Sequence, residues 1–251
     1  MTLGVAIPLL SSGAGCEQPD GGIEIDESAS TAGTNGLADL NGLRTSNGLR
    51  TSNGLRTSNG LALGTGLSSS TGLMTTAAGR SLVSYIVKCA LPENRTLTKE
   101  GPDGKTYTFP GKIGFAPEWE NGSCGQTCQE WVSACLLSLV NTTGVHVPVW
   151  LMADHAGVGF GQSAQYPRQE GAFFGNLFAP TPSAYYCSGR DFTNHPIPGR
   201  IGSTQTDPPY TNIYGASGSC AKSCTPSDYP RAADGFKACS GWNRVVTIWH
   251  Q

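Results

Sequence analysis

The stretch NGSCGQTCQEW, residues 121–131, puts Cys124 and Cys128 at the start of a helical pattern. A cysteine in the first turn of a helix feels the positive end of the helix dipole, which favours its thiolate, and a thiolate within reach of an imidazole is a nucleophile. Cys128 is therefore a candidate nucleophile, with His195 or His250 as its base and Asn194 or Asn243 to orient the ring. The same spacing supports a structural reading. Cys128, Trp131, Val132, Cys135, Leu136, Leu139 and Val140 fall on one helical stripe, which turns the sulfur toward a core or a disulfide.

Other groups invite chemistry less strongly. The C-x₃-C pairs Cys124/Cys128 and Cys220/Cys224 have the spacing of a structural zinc site, but a cysteine-rich chain favours disulfides over metal. Asp154 and His155 are neighbours, and on an extended strand they would face opposite sides, as a solvated loop pair. GVGFG at 157–161 lacks the GxxxxGK pattern of a phosphate cradle and reads as a turn. Trp119, Trp131, Trp150, Trp242 and Trp249, with Tyr185, Tyr186, Tyr210 and Tyr214, offer rings for a binding platform, with core packing as the default. The sequence carries no cofactor signature.

Cysteine arithmetic points to a compartment. There are 9 cysteines; with Cys16 set aside, Cys89, Cys124, Cys128, Cys135, Cys187, Cys220, Cys224 and Cys239 form an even set suited to four disulfides, whose pairing the sequence leaves open. Such a set belongs in an oxidising, extracytoplasmic environment. Charge excludes one class of partner. Residues 17–40 carry six acids and no base, residues 41–80 four arginines and no acid, and residues 81–251 a balanced 12 of each. A neutral folded portion lacks the field that nucleic-acid binding requires.

The elements that must position these groups begin at Arg80. SLVSYIVKCALP has helical spacing up to Pro92, and KTYTFPGKIGF suggests two short strands broken at Pro110-Gly111. TCQEWVSACLLSLVNTTG is the clearest helix. VHVPVWLM reads as a strand placed at an edge or bulge by Pro148, EGAFFGNLF as a helical turn or aromatic loop, and AYYC and VVTIW as strands. The class is α+β: a small disulfide-rich domain with one central amphipathic helix packed on a short antiparallel sheet.

Ahead of this domain, [NT]-G-L-x-x-x recurs in seven hexads from Asn35 to Thr76. The period resembles the hexapeptide repeat of parallel β-helices, in which Leu stacks inside the coil. Each hexad buries one Leu, worth about 1.5–3 kcal/mol, against about 1–2 kcal/mol of backbone entropy for each residue. A short β-solenoid and a tether are both open. On the tether reading, residues 17–80 reach ~45 Å, and deleting residues 35–76 leaves the melting of the C-terminal domain nearly unchanged.

The opening MTLGVAIPLLSSGAGCEQPDGG resembles a bacterial lipoprotein signal, which implies lipidation at Cys16 with Ala14 and Gly15 before it. The layout of NGL repeats before a cysteine-rich domain, with phrases such as WVSACLLS and EGAFFGNLF, is similar to uncharacterised bacterial surface lipoproteins. CGQTCQEW resembles the C-G-[SA]-C-[WY] motif of papain-like cysteine proteases, with one residue more between the cysteines and Trp131 three residues after Cys128. The organisation is then a signal over 1–16, an acidic linker over 17–34, the repeat over 35–76 and the folded domain over 80–251. The first functional reading is a surface-anchored interaction or structural module, held to a membrane by lipid and facing an extracellular ligand or protein. The alternative is a secreted cysteine hydrolase using Cys128 with His195 or His250. Mass spectrometry of the native N-terminus is expected to find an acylated Cys16; an unmodified chain still beginning at Met1 would refute it.

Overall fold

The computed structural model describes residues 37–41, 43–44, 55, 57–63, 66–141, 147–189, 215–227 and 235–251, with side chains except at 37–44, 141, 147 and 215–218. The chain divides into two compact units, Met1–Ser30 and Thr31–Gln251, and all described residues belong to the second. Cys16, the acidic linker, His195, Asn194, Tyr210 and Tyr214 lie outside the described residues.

The elements in order are β1 (Leu37–Asn41), β2 (Leu43–Arg44), α1 (Ala77–Ala90), β3 (Thr96–Glu100), β4 (Thr106–Pro110), α2 (Gln126–Leu139), β5 (Val140–Asn141), β6 (Val147–Ala153), β7 (Arg168–Asn176), β8 (Ser183–Ser188), β9 (Gly215–Ser219), β10 (Cys224–Pro226), β11 (Phe236–Cys239) and β12 (Val246–His250). The fold is mixed α and β, with two helices of 14 residues among the described residues, both in segments of helical spacing, in place of a single central helix. Its main sheet has six strands in the order β1-β6-β12-β7-β8-β9, antiparallel except for the β8–β9 pair. Three two-stranded pairs, β2-β5, β3-β4 and β10-β11, complete the described strands.

Helix α1 starts at Thr76, whose side chain accepts from the Gly79 amide at 3.0 Å, satisfying one of the amides that a helix start leaves unpaired. Its other end is closed by the KIGF segment. The amides of Lys112, Ile113, Phe115 and Ala116 donate to the carbonyls of Leu91, Lys88, Cys89 and Ala90 at 2.8–2.9 Å. The second half of KTYTFPGKIGF therefore caps a helix instead of forming a strand, and β4 pairs with β3 from RTLTKE. Helix α2 packs against α1, and Cys89–Cys135 joins the two across a separation of 46 residues, a loop for which cross-linking is worth about 4 kcal/mol in the chain-entropy picture.

Two strand expectations change. EGAFFGNLF is neither a helical turn nor a loop: Arg168–Asn176 is strand β7, paired with β12 and β8. It is buried without interruption from Gln169 to Asn176, since Phe173 faces the main core while Ala172 and Phe174 face a second cluster. A strand covered on both faces loses the alternation that announces one. Strand β6 is internal, flanked by β1 and β12. Pro148 is tolerated because the pairing with β12 stops at Val149, leaving the proline opposite only Leu40 of β1.

The later hexads belong to this fold. Leu61, Leu67 and Leu73 are buried in the main core, and Leu55 packs against it. Leu61 and Ala62 amides donate to the carbonyls of Trp119 and Glu120 at 2.8 Å, the Trp119 indole donates to Asn59 at 3.2 Å, and the Cys124 amide donates to Thr57 at 2.7 Å. Lys99 on β3 donates to the Ala62 carbonyl at 2.6 Å. Gly60 is required by this docking, since a Cβ there would lie 2.5 Å from the Asn121 backbone, while Gly72 is required by its φ of +81° and by the Gly66 carbonyl of the preceding hexad, 2.4 Å from where a Cβ would stand. The hexads at 57–63 and 66–76 thus pack on the domain core and are not a free tether. The entropy that one Leu cannot offset within a hexad is offset against a preformed core, together with hydrogen bonds to the 119–124 loop. Leu61→Ala or Leu67→Ala is expected to cost about 2–5 kcal/mol, measured as a lower urea midpoint; an unchanged midpoint would restore the tether reading.

Candidate functional site

Cys128 lies in the first turn of α2, as its spacing suggests, but its sulfur is bonded to Cys124, and it is 3% exposed. Both sulfurs belong to the main core. Gly125 precedes the helix with extended backbone and Gln129 returns its amide to the Gly125 carbonyl at 2.9 Å, so the short Cys124–Cys128 bridge closes around the helix start. A bonded sulfur has no lone thiolate to attack a carbonyl. Of its proposed bases, His195 is outside the described residues, and His250 ends β12 with Nδ1 3.0 Å from the Gln251 carbonyl oxygen.

The group that the fold does assemble around α2 is aromatic and cationic. Phe115, positioned by the segment that caps α1, stacks on Trp131 with ring centroids 5.0 Å apart and planes 5° from parallel. His155 sets its edge against both rings, at 5.0 Å from Phe115 and 5.2 Å from Trp131. The Arg244 guanidinium stands 5.8 Å from the Trp131 ring centre, at the outer limit of a cation–π contact. His155 is thus a half-buried member of a ring cluster, not the solvated half of an Asp154-His155 pair; Asp154 alone is exposed. The reason lies in the turn: Val158 and Gly159 amides both donate to the His155 carbonyl, at 3.0 and 2.8 Å, folding 155–159 back so that the ring meets α2.

The Gly157 amide donates to His155 Nδ1 at 3.1 Å, so the neutral ring carries its proton on Nε2. Burial pushes the imidazole pKa below its ordinary value; Glu118 and Asp154 pull it up and Arg244 pushes it down further. Phe115 and Trp131 are buried in the main core, so the stack is packing, and the polar groups at its half-buried edge are His155 and Arg244.

On the other face of the sheet sit two further clusters. Trp150, Tyr166 and Trp249 form one, with Trp150 stacked on Tyr166 at 5.8 Å and its indole donating to the Gly161 carbonyl at 2.7 Å. The other gathers Cys187, Cys220, Cys224 and Cys239. The two C-x₃-C pairs therefore do not meet: Cys124 bonds Cys128 in the main core, while Cys220 bonds Cys187 and Cys224 bonds Cys239 in the second cluster. Core packing prevails among the tryptophans, with Trp119, Trp131 and Trp249 buried and Trp150 and Trp242 half-buried.

No protein-family model matches the chain, and neither a curated protein nor a solved structure matches it. Sequence reasoning missed Phe115, Arg244 and Tyr166 as members of these clusters. Each comes from a separate segment, and no spacing rule joins them.

The His155 arrangement carries a pH dependence. Because the folded pKa is depressed, the unfolded chain takes up this proton first as pH falls. The associated stability is complete above the ordinary value of 6.5 and declines below it until the folded ring itself titrates. Between about pH 7 and 5 the wild type is expected to lose melting temperature faster than His155→Leu. Parallel curves for the two proteins would show that the ring is equally solvated folded and unfolded.

Proposed function

We propose that the chain is a surface-anchored interaction or structural module, held at a membrane by a lipid on Cys16 and working outside the cytoplasm through binding. The observation that carries this reading is the Cys124–Cys128 bridge, which occupies the one sulfur whose sequence setting suggests a nucleophile. Three more bridges accompany it, Cys89–Cys135, Cys187–Cys220 and Cys224–Cys239, and disulfides in such number are compatible with an oxidising compartment. Among the described residues no helix is long and apolar enough to cross a membrane.

At this cluster the groups within a partner's reach are His155 and Arg244, both half-buried, at the edge of the buried Phe115–Trp131 stack. An extracellular ligand or protein would meet them on a scaffold whose bridges hold the helices and loops in place.

Alkylation of the native, unreduced protein separates this reading from a cysteine hydrolase. Iodoacetamide near neutral pH is expected to leave Cys128 unlabelled, and Cys128→Ser to lower stability by about 2–4 kcal/mol as a lost bridge, with His250→Ala nearly neutral. Rapid labelling of Cys128 that is slowed by His195→Ala or His250→Ala would put the hydrolase first.

A further inference from the structure

The cluster on the back of the sheet has a chemistry of its own. Cys187 lies on β8, Cys220 opens the helical turn Cys220–Ser223, Cys224 begins β10, and Cys239 ends β11 directly opposite Cys224. Four separate elements thus deliver four sulfurs to one place. The Sγ atoms of Cys187, Cys220 and Cys224 all lie within 4.8 Å of one another, and Cys239 Sγ is bonded to that of Cys224. The two bridges touch, with Cys187 Sγ 3.3 Å from Cys224 Sγ although each is bonded elsewhere. Ala172, Phe174, Phe236 and Val245 enclose them in apolar surroundings.

Zinc held by four thiolates has Zn–S bonds of about 2.3 Å in a tetrahedron, which puts the sulfurs about 3.8 Å apart. Cys187, Cys220 and Cys224 hold their sulfurs within 4.8 Å of one another, close to that separation, and Cys239 lies directly opposite Cys224 on the paired strand. We propose that Cys187, Cys220, Cys224 and Cys239 form a latent tetrathiolate site for zinc or a cation of its class, exposed when a dithiol reduces the two bridges. This role is independent of the lipid on Cys16 and of any ligand bound by the ring cluster.

The route follows from exposure. Cys187, Cys220 and Cys239 are 0%, 1% and 1% exposed, whereas Cys224 is half-buried and is the most exposed residue of the four. A dithiol enters as its thiolate and attacks Cys224 Sγ; the Cys224–Cys239 bond breaks and Cys239 leaves as a thiolate. The second thiol of the reagent closes on the first, releasing Cys224 as a thiolate and the reagent as a cyclic disulfide. Cys224 Sγ then stands against Cys187 and displaces Cys220, forming a Cys187–Cys224 bridge that a second dithiol opens in the same way. Two dithiols supply four electrons and four protons, two protein disulfides become four thiols, and two cyclic disulfides leave. A zinc ion then displaces four protons, and the centre carries a net charge of −2.

The test uses the full chain carrying Cys16→Ser, reduced with a dithiol, desalted without oxygen and titrated with cobalt(II) as the probe. One cobalt per chain is expected, with the intense visible bands of tetrahedral cobalt and the ultraviolet thiolate-to-cobalt charge-transfer bands, both abolished by one equivalent of zinc. The bands should persist in Cys124→Ser/Cys128→Ser and vanish in Cys187→Ser/Cys239→Ser. Absence of tetrahedral bands in the reduced parent, their survival in Cys187→Ser/Cys239→Ser, or their equal loss in both double variants would overturn the proposal.

Discussion

The structure depends on burying α2 almost completely. From Trp131 to Leu139 every residue of the helix is buried, including two serines, so this is a helix enclosed on all sides and not a surface helix with one apolar stripe. Each polar group on it needs a partner, because an unsatisfied buried donor or acceptor costs about 1–3 kcal/mol. Ser133 Oγ accepts from the Leu177 amide at 2.8 Å, tying the helix to the end of β7, and Ser138 returns its proton to the Cys135 carbonyl at 2.7 Å. Gln129 performs the same task at the rim: its Nε2 reaches Thr57 Oγ1 and the Cys124 carbonyl, and its Oε1 accepts from Asn176. One side chain thereby connects the repeat, the first disulfide loop and the central sheet.

A helix enclosed in this way needs more cover than one sheet and α1 provide, and the later hexads supply it. Their leucines enter the core at six-residue intervals while Gly60 lets the backbone run close to the 119–124 loop. The regular period reflects repeated docking on a neighbouring surface. Hexads gain little by stacking on each other, since each contributes one leucine, but against a formed core the same leucine joins a cluster that includes Trp119, Leu82 and Leu137.

The disulfides divide the labour between the two sides of the sheet. On the helix side, Cys89–Cys135 fixes α1 to α2 and Cys124–Cys128 closes the turn that starts α2. On the other side, Cys187–Cys220 and Cys224–Cys239 hold the β10–β11 pair and a single helical turn against β8, elements too small to stay in place by burial alone. The ring cluster around His155 lies by α2, so the rigidity of the helix side sets its geometry, while the sulfur cluster lies on the opposite face of the sheet.

Much was determined by the sequence itself. The helical spacing from Cys128 to Leu139 and the stop before Pro92 placed both helices, the pattern of VVTIW placed a strand, and the even set of eight cysteines pointed to four bridges. These features are local, or are counts, and local periodicity and parity survive without knowledge of contacts. Tertiary structure decided the rest. β7 is buried on both faces and so shows no alternation; KIGF satisfies helix carbonyls that only the folded chain brings near; and the 105 connectivities open to eight cysteines resolve into a single one, with four bridges, once the chain is packed. The same holds for the site. Trp131 and His155 were visible as residues, but Phe115 and Arg244 come from other segments, and their meeting is a product of how α1, α2 and the 153–159 turn pack. Contacts between distant segments carry no period along the chain, and for that reason only the fold reveals them.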